Sequence, residues 1–219
     1  MYSILPILPM WLQIFDYLQQ NWLENLGILT SLICIWLNTK QNVWGWFWAI
    51  TSSGIYSIIF YQARLFSDMG LQGIFILLSV YGWYAWQFCS KEKSVLFVSK
   101  IPTNLSLLCL GFFFAFSLIS GYLFSQYSKA SLPYLDSSLT AISLIATWMT
   151  ARKYLENWIL WIFANVVYVG MYFYKGLNGT AVLYVLLIFL AVKGYRDWRL
   201  TVKGERLHSR KMPLPVGTD

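Results

Sequence analysis

Trp158, Trp161, Asn165, Tyr168 and Tyr172 lie within WILWIFANVVYVGMYFY, a stretch with no charged side chain. Their spacing of i, i+3, i+7, i+10 and i+14 puts four rings and one amide on one face of a helix. The chemistry open to such a face is recognition: aromatic walls with a few placed polar groups are the usual make-up of a small-molecule pocket. An amide left unpaired in hydrocarbon costs a few kcal/mol, so Asn165 must face protein or a polar cavity. Alone, an Asn in an apolar helix more often serves an interhelical hydrogen bond; the rings on the same face are what point to a ligand. Bond-making chemistry has no material here, because no nucleophile, base and acid converge within the apolar segments. A phosphate-cradling Gly-Lys-Ser/Thr loop is also missing. Cys34, Cys89 and Cys109 have no metal-like spacing and read as small apolar residues. The chain reads as a non-enzyme with no cofactor.

Such a face must be carried by a membrane helix. Of 219 residues, 58% are hydrophobic and 11% charged, with 12 Trp, 15 Tyr and 15 Phe, too apolar for a soluble domain of this size. Seven charge-poor runs long enough to cross a bilayer fall at about 23–39, 42–62, 69–88, 104–125, 134–151, 156–175 and 178–198. The first is diluted by Asn25, Thr30 and Ser31. Residues 1–22, broken by Pro6 and Pro9, lack the features of a signal peptide and are expected to lie along the membrane surface as an interfacial helix.

An internal repeat organises these spans. Shifted by 112 residues without a gap, the chain matches itself at Ser31/Ser143, Trp36/Trp148, Trp46/Trp158, Tyr56/Tyr168, Gly82/Gly194 and Trp86/Trp198, among others. The repeat unit holds three spans, at 23–90 and 133–200, and the segment 91–132 between them holds one more. That extra span lets both copies enter the membrane in the same sense. The expected fold is therefore all-α and integral to the membrane: two parallel three-helix repeats joined by a linker helix, the 3+1+3 plan of SWEET-like carriers. A cavity at the seam of two such bundles suits alternating access; the bland alternative is a duplication that built only a stable bundle.

Positions where the halves differ are the better candidates for gripping an asymmetric ligand. Against Trp158, Trp161, Asn165 and Tyr168 the first half sets Trp46, Ala49, Ser53 and Tyr56, so the second gains an indole and an amide. Gln72 aligns with Tyr184, and Asn178 and Thr180 add polar groups near the start of the last span. Trp83, Trp86, Tyr195 and Trp198, at the ends of spans three and seven, are expected to anchor at the membrane–water interface.

Charge sets orientation. Thirteen Lys and Arg fall in one set of connections and the tail, three in the opposite set, which places the amino terminus outside and the carboxy terminus in the cytoplasm. The basic residues are spread over several segments, which argues against a nucleic-acid surface. The tail 201–219 is expected to be disordered from Gly204 onward. No acid, base or His lies mid-span, so the chain lacks the usual means of proton coupling and reads as an uncoupled facilitator. For the same reason, a retinal photoreceptor with its Schiff base on Lys193 lacks a counter-ion.

The runs Asp68-Met-Gly-Leu-Gln72, Tyr81-Gly-Trp-Tyr-Ala-Trp86, Trp158-x-x-Trp161-x-x-x-Asn165-x-x-Tyr168 and Lys175-Gly-Leu-Asn178-Gly-Thr-Ala-Val-Leu-Tyr184 together resemble the PnuC family of bacterial nicotinamide riboside transporters. The resemblance covers about residues 24–199. It implies a homotrimer in the bacterial inner membrane and facilitated diffusion of nicotinamide riboside, made unidirectional by a cytoplasmic kinase that phosphorylates the substrate. It also implies substrate contacts at Trp158, Trp161, Asn165, Gln72, Asn178, Thr180 and Tyr184; the spans' own chemistry adds Tyr168 and Ser53. Thiamine, riboflavin and sugar remain alternative substrates, since an aromatic-plus-amide pocket suits them all. Unlike SWEET transporters proper, the chain has no proline inside the spans of either repeat, which puts a proline-hinge mechanism in doubt.

Overall fold

The computed structural model describes residues 19, 21–62, 64–88, 97–127, 132–174 and 178–211. Among them are seven long helices: α1 (Trp22–Thr39), α2 (Trp44–Gln62), α3 (Phe66–Phe88), α4 (Thr103–Tyr127), α5 (Pro133–Ala151), α6 (Asn157–Tyr174) and α7 (Asn178–Lys211). The described residues contain no β-strand, only an isolated bridge between Ser99 and Tyr154. Each expected span coincides with one helix. The interfacial helix expected at 1–22 falls almost wholly outside the described residues.

Six helices close a ring. α1 packs on α2, α2 on α3, α3 on α5, α5 on α6, α6 on α7, and α7 back on α1, while α4 stands outside against α5 alone. Third helices therefore join the halves: α3 leans on the first helix of the second half and α7 on the first helix of the first. Because α5 has three helical neighbours, it is buried nearly throughout, and its sequence supplies the small residues this requires. Ser143, Thr147 and Thr150 turn their hydroxyls onto carbonyls one turn back, at 2.8 to 2.9 Å, so these three polar groups are paired within the helix.

α4 is the one helix among the described residues that is both long and apolar enough by itself to cross a membrane. Only Ser117 and Gly121 of α4 are buried; Leu107, Leu108, Leu118 and Ile119 are exposed. The ring helices read as less apolar because they carry Trp, Tyr, Ser and Thr, some of which are buried between helices, as Trp46, Trp86, Trp158 and Trp198 are.

The turns repeat two hydrogen bonds. After α1, Gln41 and Asn42 donate to Asn38 and Leu37; after α5, Lys153 and Tyr154 donate to Thr150 and Met149. Every donor and acceptor in one set is 112 residues from its counterpart. Both turns are the glycine-type helix stop, yet Gln41 and Lys153 take the left-handed φ of 54° as non-glycine residues. That conformation costs about 1–2 kcal/mol. Their side chains account for the choice: Gln41 Nε2 donates to Thr201 on α7 at 3.2 Å, and Lys153 Nζ sits 4.9 Å over the Trp86 ring on α3. Each left-handed residue thus grips the third helix of the opposite half.

Two expectations are corrected. Trp86 and Trp198 are no interfacial belt: they are 7% and 0% exposed, in the middle of the largest core cluster. The chain beyond Gly204 is not disordered from that point: α7 runs on to Lys211. One glycine costs a helix only about 1 kcal/mol, and the nearest strong stop is Pro213, which disfavours helix at the residue before it.

Candidate substrate site within the helical ring

α6 begins at a turn locked by Asn157, which is fully buried. Its Nδ2 donates to Tyr154 O at 2.6 Å, and Thr150 Oγ1 donates to its Oδ1 at 3.2 Å. The matching pair in the first half is inverted: Gly45 stands opposite Asn38, and a Cβ on Gly45 would lie 2.3 Å from Asn38 Oδ1. At this pair of positions each half therefore places one amide, supplied from opposite sides. The sequence carries a signal for this, a coupled mismatch at 38/150 and 45/157.

One residue on, Trp158 is 3% exposed and lies edge-on to Trp198 of α7, with centroids 5.5 Å apart and planes at 89°. Trp46 meets Trp86 in the same way at 5.4 Å and 84°. Trp86 and Trp198 close the series at 6.1 Å. Four indoles drawn from matched positions thus form one continuous cluster, with each neighbouring pair adding about 0.5–1.5 kcal/mol beyond its contact area. Gly82 and Gly194 make room for it: a Cβ on either would stand 2.5 or 2.6 Å from the Trp46 or Trp158 ring. All six ring helices contribute, from Ile35 of α1 to Ala151 of α5, and Val98 of the preceding connection inserts as well. The cluster closes the ring at this end.

The remaining stripe climbs away from that floor. Trp161 is half-buried and packs on the indole cluster. Asn165 is 5% exposed, beside the fully buried Ala164, and its amide forms no hydrogen bond among the described residues. One turn further, the Tyr168 and Tyr184 rings meet at 4.8 Å and 42°. Trp158 and Trp161 are thus brought together in one cluster and Tyr168 with Tyr184 in a second contact, with Asn165 between. Ser53 is buried on α2 and Gln72 half-buried on α3. Neither α2 nor α3 packs on α6, so a ligand touching Asn165 and either of these residues must span the interior of the ring. The side chains of Asn178, Thr180 and Tyr172 lie outside the described residues.

The indole nitrogens divide by role. Trp86 Nε1 donates to Ala151 O at 3.1 Å, and Trp198 Nε1 donates to Asn38 O at 3.0 Å. These are last-turn carbonyls of α5 and α1, which have no acceptor role within their own helices. Trp46 Nε1 and Trp158 Nε1 are buried without an acceptor among the described residues. A buried donor left unpaired costs about 1–3 kcal/mol, and here the two unpaired indoles stand at matched positions of the two halves. Charge is absent: among the described residues Lys and Arg lie in turns, in connections or on the exposed part of α7, and no group of acids, His or Cys is placed to bind a metal. The arrangement can stack a flat ring and hydrogen-bond polar substituents, and it offers nothing to balance a phosphate.

Comparison with known proteins agrees in kind. A family model described as nicotinamide mononucleotide transporter matches residues 21–200. The nicotinamide riboside transporter PnuC of Escherichia coli (strain K12) is 27% identical over 203 residues, covering 81% of this chain and 85% of its own. The riboflavin/roseoflavin transporter RibM of Streptomyces davaonensis is 24% identical over 185 residues, with 82% and 85% covered. The crystal structure of the vitamin B3 transporter PnuC superposes with a TM-score of 0.69 at 19% identity, over 87% of this chain and 86% of that one. This likeness extends to the whole seven-helix arrangement. With its ring of helices, its uncharged aromatic stripe and a match across nearly all of the described membrane region, the chain belongs to the nicotinamide mononucleotide transporter family of membrane proteins.

Proposed function

We propose that this protein carries nicotinamide riboside across the bacterial inner membrane by facilitated diffusion. The observation that carries the reading is the α6 face: Trp161 and the buried Asn165 stand between an indole floor and the Tyr168/Tyr184 pair, with no charged group among them. Nicotinamide riboside offers a cationic pyridinium, a carboxamide and a ribose. A ring face attracts such a cation by up to about 2 kcal/mol once desolvated, and Asn165, Gln72 and the Trp158 N–H can pair with carboxamide or hydroxyl groups. Asn178, Thr180, Tyr184 and Ser53 complete the proposed contact set. The family description names the mononucleotide, but the absence of a cation along the stripe favours the unphosphorylated riboside.

The reading extends to architecture. Matched turns and the symmetric exchange of third helices support two parallel three-helix units with α4 as linker, a SWEET-like 3+1+3 plan. Alternating access then requires the indole cluster to part on one side and a constriction to form on the other. The amino terminus lies outside and the carboxy terminus in the cytoplasm, in keeping with the basic residues. The exposed apolar surface of α4 would face the lipid bilayer or a neighbouring subunit of a homotrimer. A kinase that phosphorylates the incoming riboside would sustain net uptake.

Titration calorimetry of the detergent-purified protein tests the substrate. Nicotinamide riboside gives a saturable heat, and nicotinamide mononucleotide, thiamine, riboflavin and glucose give none. Riboflavin is the second reading, favoured by the likeness to RibM; saturable riboflavin binding without riboside binding would replace the first.

A further inference from the structure

The exposed face of α7 beyond the ring carries a feature that substrate binding leaves unused. α7 is 34 residues long, about 51 Å at 1.5 Å per residue. The first 20 residues or so suffice to cross a hydrocarbon layer of about 30 Å, so the helix leaves the apolar slab near Trp198. There one side is fastened: Trp198 is fully buried and bonded to Asn38 O, Thr201 accepts from Gln41, and Val202 packs on the indole cluster. The other side presents Arg196, Arg199 and Lys203 at i, i+3 and i+7, all exposed, around a shallow basin of about 320 Å³ that they share with Leu200. The neighbouring acid does not neutralise them, because Asp197 is paired with Lys193 at 2.5 Å. Leu200 is 65% exposed in the midst of these cations.

We propose that Arg196, Arg199 and Lys203 form a docking surface for the phosphate of an anionic phospholipid headgroup, with Leu200 against the upper acyl chains. The shared chemistry is a phosphate ester, and depth chooses the lipid as its source: three cations and an apolar side chain lie on a rigid helix at the level where headgroups begin. A soluble phosphate would gain nothing from Leu200. Guanidinium groups bind phosphate oxygens in pairs, and each cation near an anionic surface contributes about fivefold in binding, about 1 kcal/mol. The site would orient and steady α7, the helix that supplies Tyr184 and Trp198 to the ring.

Native mass spectrometry tests this on the full chain in detergent carrying equimolar phosphatidylglycerol and phosphatidylcholine. The unaltered protein retains phosphatidylglycerol by at least about tenfold over phosphatidylcholine. The combined variant Arg196→Gln, Arg199→Gln, Lys203→Gln brings the ratio close to one, whereas Arg196→Lys with Arg199→Lys, which keeps the charges, preserves a clear preference. An undiminished preference in the glutamine variant, its loss in the lysine variant, or displacement of the lipid by millimolar glycerol phosphate would each overturn the assignment.

Discussion

Trp86 and Trp198 stand 112 residues apart in the chain and 6.1 Å apart ring to ring, and each indole donates to the last-turn carbonyl of the first helix in the opposite half. The pair is a crossed clasp. In lipid there is little hydrophobic drive to hold helices together, so close packing and interhelical hydrogen bonds must do so; this contact supplies both where the two halves meet.

Replacing both indoles by Phe keeps most of the ring area and removes both donors. The two hydrogen bonds together are worth about 1–3 kcal/mol; Ala151 O loses its indole donor, while Asn38 O keeps the Gln41 N–H. Thermal unfolding in detergent is expected to begin several degrees lower in the double variant, with each single variant near half the loss. An unchanged unfolding temperature would show that the clasp does not hold the halves.

Gly82→Ala sets a methyl 2.5 Å from the Trp46 ring, and Gly194→Ala does the same at Trp158. Overpacking of this kind costs about 1–3 kcal/mol. Both variants are expected to unfold earlier than the unaltered protein, and adding Trp46→Leu to Gly82→Ala restores part of the loss. Alanine at Gly54 or Gly73, where a Cβ meets nothing within 4 Å, is the control that should leave stability intact.

Trp161→Ala and Asn165→Leu probe the proposed pocket while leaving both indole donors of the clasp in place. Losing one ring face or one hydrogen-bonding amide corresponds to about tenfold or more in affinity. Calorimetry is expected to record that weakening while the elution profile of the oligomer is unchanged. Full affinity in both variants would exclude the two residues from the site.

Uptake into liposomes separates a facilitator from a coupled carrier. With no carboxylate, His or basic side chain along the stripe, internal riboside should rise to the external concentration and stop. An imposed proton or sodium gradient is expected to leave that endpoint unmoved; accumulation above it would contradict uncoupled transport.

The seven helices were legible in the sequence because each contains a charge-poor run of the length the bilayer fixes, although the charged extension of α7 to Lys211 was not. The 112-residue repeat was legible because identical rings at identical spacing are seldom coincidental, and the turns after α1 and α5 share two of their hydrogen bonds at that spacing. The α6 stripe was legible as a face, since 3.6-residue periodicity is local. What lies opposite a face is not local. Spacing alone assigned Trp86 and Trp198 to the membrane surface, because an indole near a span end looks the same whether it meets headgroups or another indole; only the packing of α3 on α5 and α7 on α1 buries them. Periodicity likewise could not tell that Ser53 and Gln72 sit on helices that never touch α6, which leaves the width of the ring between them and Asn165. Local sequence dictates where helices run and which side is special. Which special sides meet depends on contacts between residues far apart in the chain, and these exist only once the ring has closed.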